Sequence, residues 1–360
     1  MEKHFFPYRN TFNHDLYTET RQSKIVKYDV FSINEANISH RIKKYIPYYA
    51  DYYLIIEDYT HLNMDILDED TIEKLQYIDI NNNINNDYLL FKYDRDADNA
   101  IDFTDMLYQS TCIKKILFDI IHIFQHLTKS LLMLNTDCLV CYFHLCPQNI
   151  LFLSRNREKP LLNNFQYSLR LSKCNSYDEY YTYFLPILMN IDDFTYQPFE
   201  IHILYFMEIR KLNTISFSFI EDFCGTFVNN MSILRMFSDI YRNKYKICCS
   251  ELLEKYINKT KKEIVEDILE RNNKWDVYGI SLLYIHIFGN ISRVFSLKET
   301  FINKMTLFLS RNIHPDSKKR MTLDETMDKW NQLLEEQNSW NFVNELENSK
   351  LDNLFDELSK

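Results

Sequence analysis

Glycine is almost missing from this chain: of 360 residues only Gly225, Gly279 and Gly289 are glycine. No glycine precedes Gly225, so a phosphate-cradling glycine loop is excluded from that whole region. Alanine is scarce too, while Asn, Ile, Lys, Tyr and Phe are in excess, the amino acids of AT-rich codons. A basic surplus is also lacking. The net charge is -10, which argues against a general nucleic-acid binder because nothing is left over to neutralise phosphates. The clearest basic run, Lys259, Lys261 and Lys262, sits beside Glu263 and Glu266 and reads as a solvated helix face. No apolar run has the length and purity of a bilayer span. The most apolar stretch, Ile113 to Leu134, is interrupted by Lys114, Lys115, Asp119, His122 and Gln125, so no membrane association is expected. The Met1 end mixes charge with aromatics and shows no signal-peptide pattern. Eight cysteines are scattered without a disulfide-like framework, which suits a reducing compartment: the cytoplasm, or the inside of a particle.

What is present can bury a large core. Apolar residues make up 46% and aromatics 15% of a length that accommodates two modest domains or one large two-lobed one. Ser23 to Val30 alternates as a strand, with Ile25 and Lys27 on one face. Ser32 and Glu35 have capping-box spacing and open a helix reaching about Tyr45. Tyr52 to Glu57 and Tyr88 to Lys92 are short β-rich runs, separated by an asparagine tract, Asn81 to Asn86, that reads as a surface loop. After Asp94 the pattern turns helical. Ile113, Ile116, Leu117, Ile120, Phe124, Leu127, Leu131 and Leu134 recur at helical spacing as one long core helix. Further helical periodicity runs through Phe237 to Glu270 and Val277 to Phe288, and no internal repeat is present.

Between the long helix and a second β-like segment stands Tyr142-Phe-His-Leu-Cys-Pro-Gln-Asn-Ile-Leu151. It resembles the protein-kinase catalytic loop, H-R-D-L-K-P-E-N-I-L, with Pro147, Asn149, Ile150 and Leu151 fixing the register. Tyr142, Phe143 and His144 then take the His-Arg-Asp positions, and Cys146 replaces the lysine. Downstream, Asn164-Phe165-Gln166 stands where D-F-G is expected. Gln197-Pro-Phe-Glu200 resembles the A-P-E element, Asp276-Val-Tyr-Gly-Ile-Ser281 the opening of the central helix of the larger lobe, and Asp316 to Thr322 the D-P-x-x-R-x-T element. The matches fall in the family's order over roughly residues 20 to 335. The wording of Pro198 to His202 and Trp275 to Tyr278, with the AT-rich bias, is similar to divergent kinase-like proteins of large DNA viruses.

The resemblance implies an α+β, bilobal kinase-like fold: residues 1–94 as a reduced N-lobe, 95–335 as a helical C-lobe, and 336–360 as an amphipathic tail. It also implies that the chemistry is lost. Phosphoryl transfer needs held phosphates, coordinated magnesium and a carboxylate that orients the acceptor. Here the degenerate positions are His144, Asn149 and Asn164; the two asparagines offer only neutral oxygen to a cation that favours carboxylates. His144 can in principle accept a proton near neutral pH but cannot replace a metal ligand. Lys27 takes the phosphate-pairing lysine position with Lys24 as the competing choice, and Glu35 the helix partner; otherwise Lys27 is an exposed strand lysine and Glu35 only completes the capping box. The structural residues Glu200, Arg320, Asp276 and Phe165 persist. In the family the first two form a buried ion pair, and the aspartate accepts hydrogen bonds from the catalytic loop. The expectation is a pseudokinase acting as an interaction or scaffold protein, a virion component among the options, with no metal, no required cofactor and at most weak ATP binding. The alternatives are a divergent active serine/threonine kinase using His144 or an unrecognised carboxylate, and a scaffold that binds ATP without metal.

Other signals carry less. Cys138, Cys141 and Cys146 lack a second ligand pair for zinc, and His122 and His126 lack the glutamate of a zinc-protease helix. Leu351, Leu354, Phe355 and Leu358 share one face of a tail helix, preceded by Trp340 and Phe342. That helix either docks on the helical part or binds a protein partner.

Overall fold

The computed structural model describes residues 23–62, 88–95, 100–154, 156–297, 300–335, 342–343 and 346–359. The asparagine tract and Trp340 lie outside them. Within them the chain is a mixed α+β structure, mainly helical with small sheets.

The first part is a three-stranded antiparallel sheet, β1 (Ser23–Lys27), β3 (Tyr88–Tyr93) and β2 (Ile56–Leu62), with β3 in the middle. Helix α1 (Val30–Tyr45) packs on it. Its capping box differs from the expected one. Asp29 is the N-cap, accepting from the amides of Phe31 and Ser32, and Ser32 closes the box from the N3 position. Glu35 is therefore a buried residue inside the helix. The strand forecast at Tyr52 to Glu57 begins later, at Ile56. Ahead of it, Leu54 donates to the carbonyl of Leu162 and Leu162 to that of Tyr52, joining the first part to the second.

The second part begins with β4 (Ile101–Asp102), the short α2 (Phe103–Tyr108) and the long α3 (Ile113–Thr136). Helix α3 is long and apolar enough to cross a membrane by length and composition, but its apolar stripe here is core: Ile116, Leu117, Ile120, Phe124, Leu127, Leu131 and Leu134 are fully buried. Each such side chain contributes about 1.5–3 kcal/mol. Then come β5 (Val140–Cys141), β6 (Ile150–Leu153), β7 (Asn156–Leu162) and β8 (Leu169–Arg170); β4, β6 and β7 form one sheet, β5 and β8 another. The rest is helical: α4 (Phe199–Ile209), α5 (Phe217–Asn230), α6 (Asp239–Glu254), α7 (Lys261–Leu269), α8 (Trp275–Val294), α9 (Phe301–Asn312), α10 (Leu323–Glu335) and α11 (Leu351–Leu358). The periodicity over Phe237 to Glu270 is thus two helices, split where Thr260 and Glu263 form a new capping box.

Helix α8 is buried around most of its circumference. Gly289 on it lies against Met236, whose sulfur occupies the place of a Cβ. The tail helix α11 docks: Leu351 and Leu354 are buried, Phe355 meets Tyr108 edge-on, and Arg293 on α8 pairs with Glu357. Asn348 accepts from the amide of Ile113 at 3.1 Å, so the tail also caps α3.

Candidate functional site

The loop Tyr142–Leu151 is held by one carboxylate. Asp276, 2% exposed in the first turn of α8, accepts from the amides of Tyr142 and Phe143 at 2.9 Å each and from the Asn135 side chain at 2.8 Å. Burial pushes this carboxyl up, and the donated N–H bonds of Phe143 and Tyr142 pull it back toward ionisation. The grip imposes strain. Phe143 has φ 68°, and the amide of His144 bonds the carbonyl of Tyr142 at 2.8 Å, closing a γ-turn with positive φ, a rare geometry for a bulky residue. Gln197 anchors the other side, donating to the Phe143 carbonyl at 2.6 Å. Tyr142 packs edge-on against Phe165 at 5.5 Å, and both rings are buried.

The two asparagines at the degenerate metal positions are bonded to each other. Asn164 Nδ2 donates to Asn149 Oδ1 at 3.1 Å, and Asn149 Nδ2 donates to the His144 carbonyl at 3.1 Å. Asn164 is left-handed, φ 56° and ψ 68°, a conformation asparagine tolerates better than most residues. His144 stands beside Tyr167, and its Nδ1 is sealed from solvent without a partner. Burial pushes its imidazole down to about 4, opposed by the charge of Asp193. This corrects the expectation of a base titrating near neutrality: a neutral imidazole is present at pH 7, but a weak one. Asp193 is the carboxylate whose charge reaches His144, and its Oδ1 is occupied by the Thr195 amide and hydroxyl.

On α1, burial raises Glu35, while the charge of Lys24 and the N–H of Phe165 lower it. Lys24 shares its face of β1 with Val26, which packs toward Ala36 and Ile33 of α1. Lys27 lies on the opposite face with Ile25, which packs with Tyr88 and Leu90. Strand alternation turns the two lysines apart, and it is the charge of Lys24 that acts on Glu35.

Glu200 and Arg320 meet in a bidentate pair at 2.7 and 2.6 Å, with both side chains essentially inaccessible. Arg320 also donates to the carbonyls of His314 and Pro315 and lies over the Tyr278 ring at 4.7 Å. Four of the guanidinium's five N–H groups are thus bonded and a ring covers one face, the kind of support under which a buried pair holds. Cys138 and Cys141 are buried, and burial pushes the Cys138 thiol up to about 11 and that of Cys146 up to about 12, far from the thiolate a metal needs. His126 stacks on Tyr52 and bonds the Asp51 carbonyl at 3.0 Å, and His122 faces out.

Sequence reasoning missed Asn34 and Tyr183. Asn34, 5% exposed, donates to the carbonyls of Gln166 and Ser168, and Tyr183 donates to its Oδ1. The only signal was a polar residue on the packed side of an amphipathic helix. No protein-family model matches this chain, and no curated protein matches it either.

Proposed function

We propose that this is a kinase-like protein without phosphoryl-transfer activity, a bilobal scaffold that works by binding other proteins. The observation that carries this reading is the Asn149–Asn164 bond. Where the resemblance calls for two oxygen ligands on magnesium, one amide oxygen is taken by the other amide's N–H, and no charge draws a cation in. The weakened imidazole of His144 supports it further, with Nδ1 shut off from solvent, since an acceptor hydroxyl needs a base it can reach. By contrast, the residues matched to structural roles keep their bonds: Asp276 to the loop, and Glu200 to Arg320. Fasteners persist where reactive groups do not.

A second reading is favoured by one observation, the charge of Lys24 acting on the buried Glu35 carboxyl. A lysine held by a helix glutamate is the family's means of gripping nucleotide phosphates. On this reading the scaffold binds ATP without metal and alters partner affinity.

Thermal-shift titration with ATP, with and without magnesium, tests both readings, because a ligand of the native state must stabilise it. No shift at millimolar ATP supports the scaffold alone, and a metal-independent shift supports the nucleotide-binding scaffold. A shift that requires magnesium, with protein labelling that disappears in Asn149→Ala, overturns both.

A further inference from the structure

We infer that Tyr183 is the pin of a built-in latch that couples helix α1 to the helical run at residues 177–188. The inference rests on the hydrogen-bond geometry and stands whether or not the protein is kinase-like.

Both N–H groups of the Asn34 side chain are used, and its oxygen has a donor. Its Nδ2 donates to the Gln166 carbonyl at 3.0 Å and the Ser168 carbonyl at 2.8 Å, and its Oδ1 accepts from the Tyr183 hydroxyl at 3.1 Å. The same hydroxyl accepts from the amide of Arg170 at 3.0 Å. One oxygen therefore joins α1 to two neighbouring pieces of chain that are remote from it in sequence, β8 and the 177–188 run. Arg170 and Lys173 lie over the Tyr183 ring at 5.3 and 5.9 Å and hold it in place.

A second observation concerns the turn that presents the tyrosine. Tyr180–Phe184 is a wide π-type turn, with the amide of Leu185 bonded to the Tyr180 carbonyl. Pro186 follows directly and has no N–H to give the carbonyl of Thr182, so the regular ladder cannot continue through this point. Such turns recur at functional positions because they set a side chain where a regular helix would not.

The latch acts on the site already described. Glu35 is the next residue after Asn34 and feels the N–H of Phe165, and Phe165 follows Asn164. While the pin is in place, α1, Glu35 and the Asn164–Ser168 segment move as one body. When it is withdrawn, Asn34 Oδ1 is left buried without a donor, and α1 loses its tie to the 177–188 run. A displacement of that run, whose Asp178, Tyr181 and Thr182 face solvent while Tyr180, Phe184, Ile187 and Leu188 lie in the core, is thereby transmitted to Glu35 and Asn164.

Hydrogen–deuterium exchange on the full chain tests this. Tyr183→Phe keeps the ring and removes only the hydroxyl. Amides of α1 and of residues 165–170 are expected to exchange roughly tenfold faster, with α8 unchanged. Asn34→Ala should do the same, and within α1 the double variant should exchange no faster than Asn34→Ala alone, because the Tyr183 hydroxyl bonds α1 through Asn34. Unchanged protection of α1 in Tyr183→Phe overturns the latch. So does a uniform acceleration that includes α8, which would make Tyr183 a packing residue only, and so does simple addition of the two effects.

Discussion

Asn164 donates its side-chain N–H to Asn149 Oδ1 across 3.1 Å, and Asn149 gives its own Nδ2 to the His144 carbonyl. A carboxylate at position 164 would leave two acceptors facing each other, so this bond depends on the neutral amide there. The consequence is a site that is ordered without a cation.

Restoring the charge should accordingly cost stability and restore nothing else. In Asn164→Asp the new carboxylate faces Asn149 Oδ1, while Asn149 Nδ2 remains committed to His144. A loss of about 1–3 kcal/mol is expected for the unpaired buried acceptor. Urea unfolding measures the loss, and a labelling assay with ATP and magnesium should stay blank. Appearance of label would show that a single carboxylate was all the site lacked.

The Asp276 grip gives a second prediction. Asp276→Asn preserves shape but offers one oxygen and one NH₂ group to three N–H donors, those of Tyr142, Phe143 and Asn135. At least one donor then meets another donor, and the strained turn at Phe143 loses its restraint. A destabilisation of about 2–3 kcal/mol is expected. It should be accompanied by faster exchange at the His144 amide than at α5. Equal exchange at both places would mean the loop does not depend on this carboxylate.

The Glu200–Arg320 pair predicts an asymmetry. Arg320→Met alone strands a buried carboxylate and should cost about 3–5 kcal/mol. Glu200→Met together with Arg320→Met removes both charges and should recover part of that loss. Recovery is incomplete because Arg320 also satisfies the carbonyls of His314 and Pro315. Chemical denaturation of the three variants checks the ordering, and a double variant less stable than the single one would contradict it.

What could be read from the sequence, and what could not, follows from how local each signal is. The long helix was legible because eight apolar residues from Ile113 to Leu134 repeat the helical period, and burial alone decides that pattern. Glu200 and Arg320 are separated by |i−j| = 120, and no periodicity links them; only the ordered motifs brought them into view. Glu35 was misread because Ser32 and Glu35 satisfy capping-box spacing, yet Asp29 makes a better cap three residues earlier and draws Ser32 into the N3 role. The choice between Lys24 and Lys27 turned on which strand face meets α1, which one strand cannot reveal by itself. Asn34 was invisible for a related reason: a lone amide in a helix reads as solvated until a second segment arrives with its carbonyls.

The buried histidines predict a response to acid. Burial pushes His144, His202 and His286 each down to about 4, and it also lowers His126 and His314. In the unfolded chain a histidine titrates near 6.5, so between about 6.5 and 4 the unfolded state binds more protons and stability drops as the pH is lowered. The contribution of these groups is complete above pH 6.5 and is lost progressively as the pH falls toward 4. Glu35, Asp102 and Asp276 act in the opposite sense: burial raises them, so their contribution is present at low pH and is lost as the pH rises through their folded values. The five histidines outnumber those three carboxyls, and the net slope should favour unfolding on acidification. Urea midpoints measured from pH 7.5 to 4.5 should therefore decline steadily. A flat or rising profile would mean that the buried imidazoles find protons, or partners for them, inside the fold.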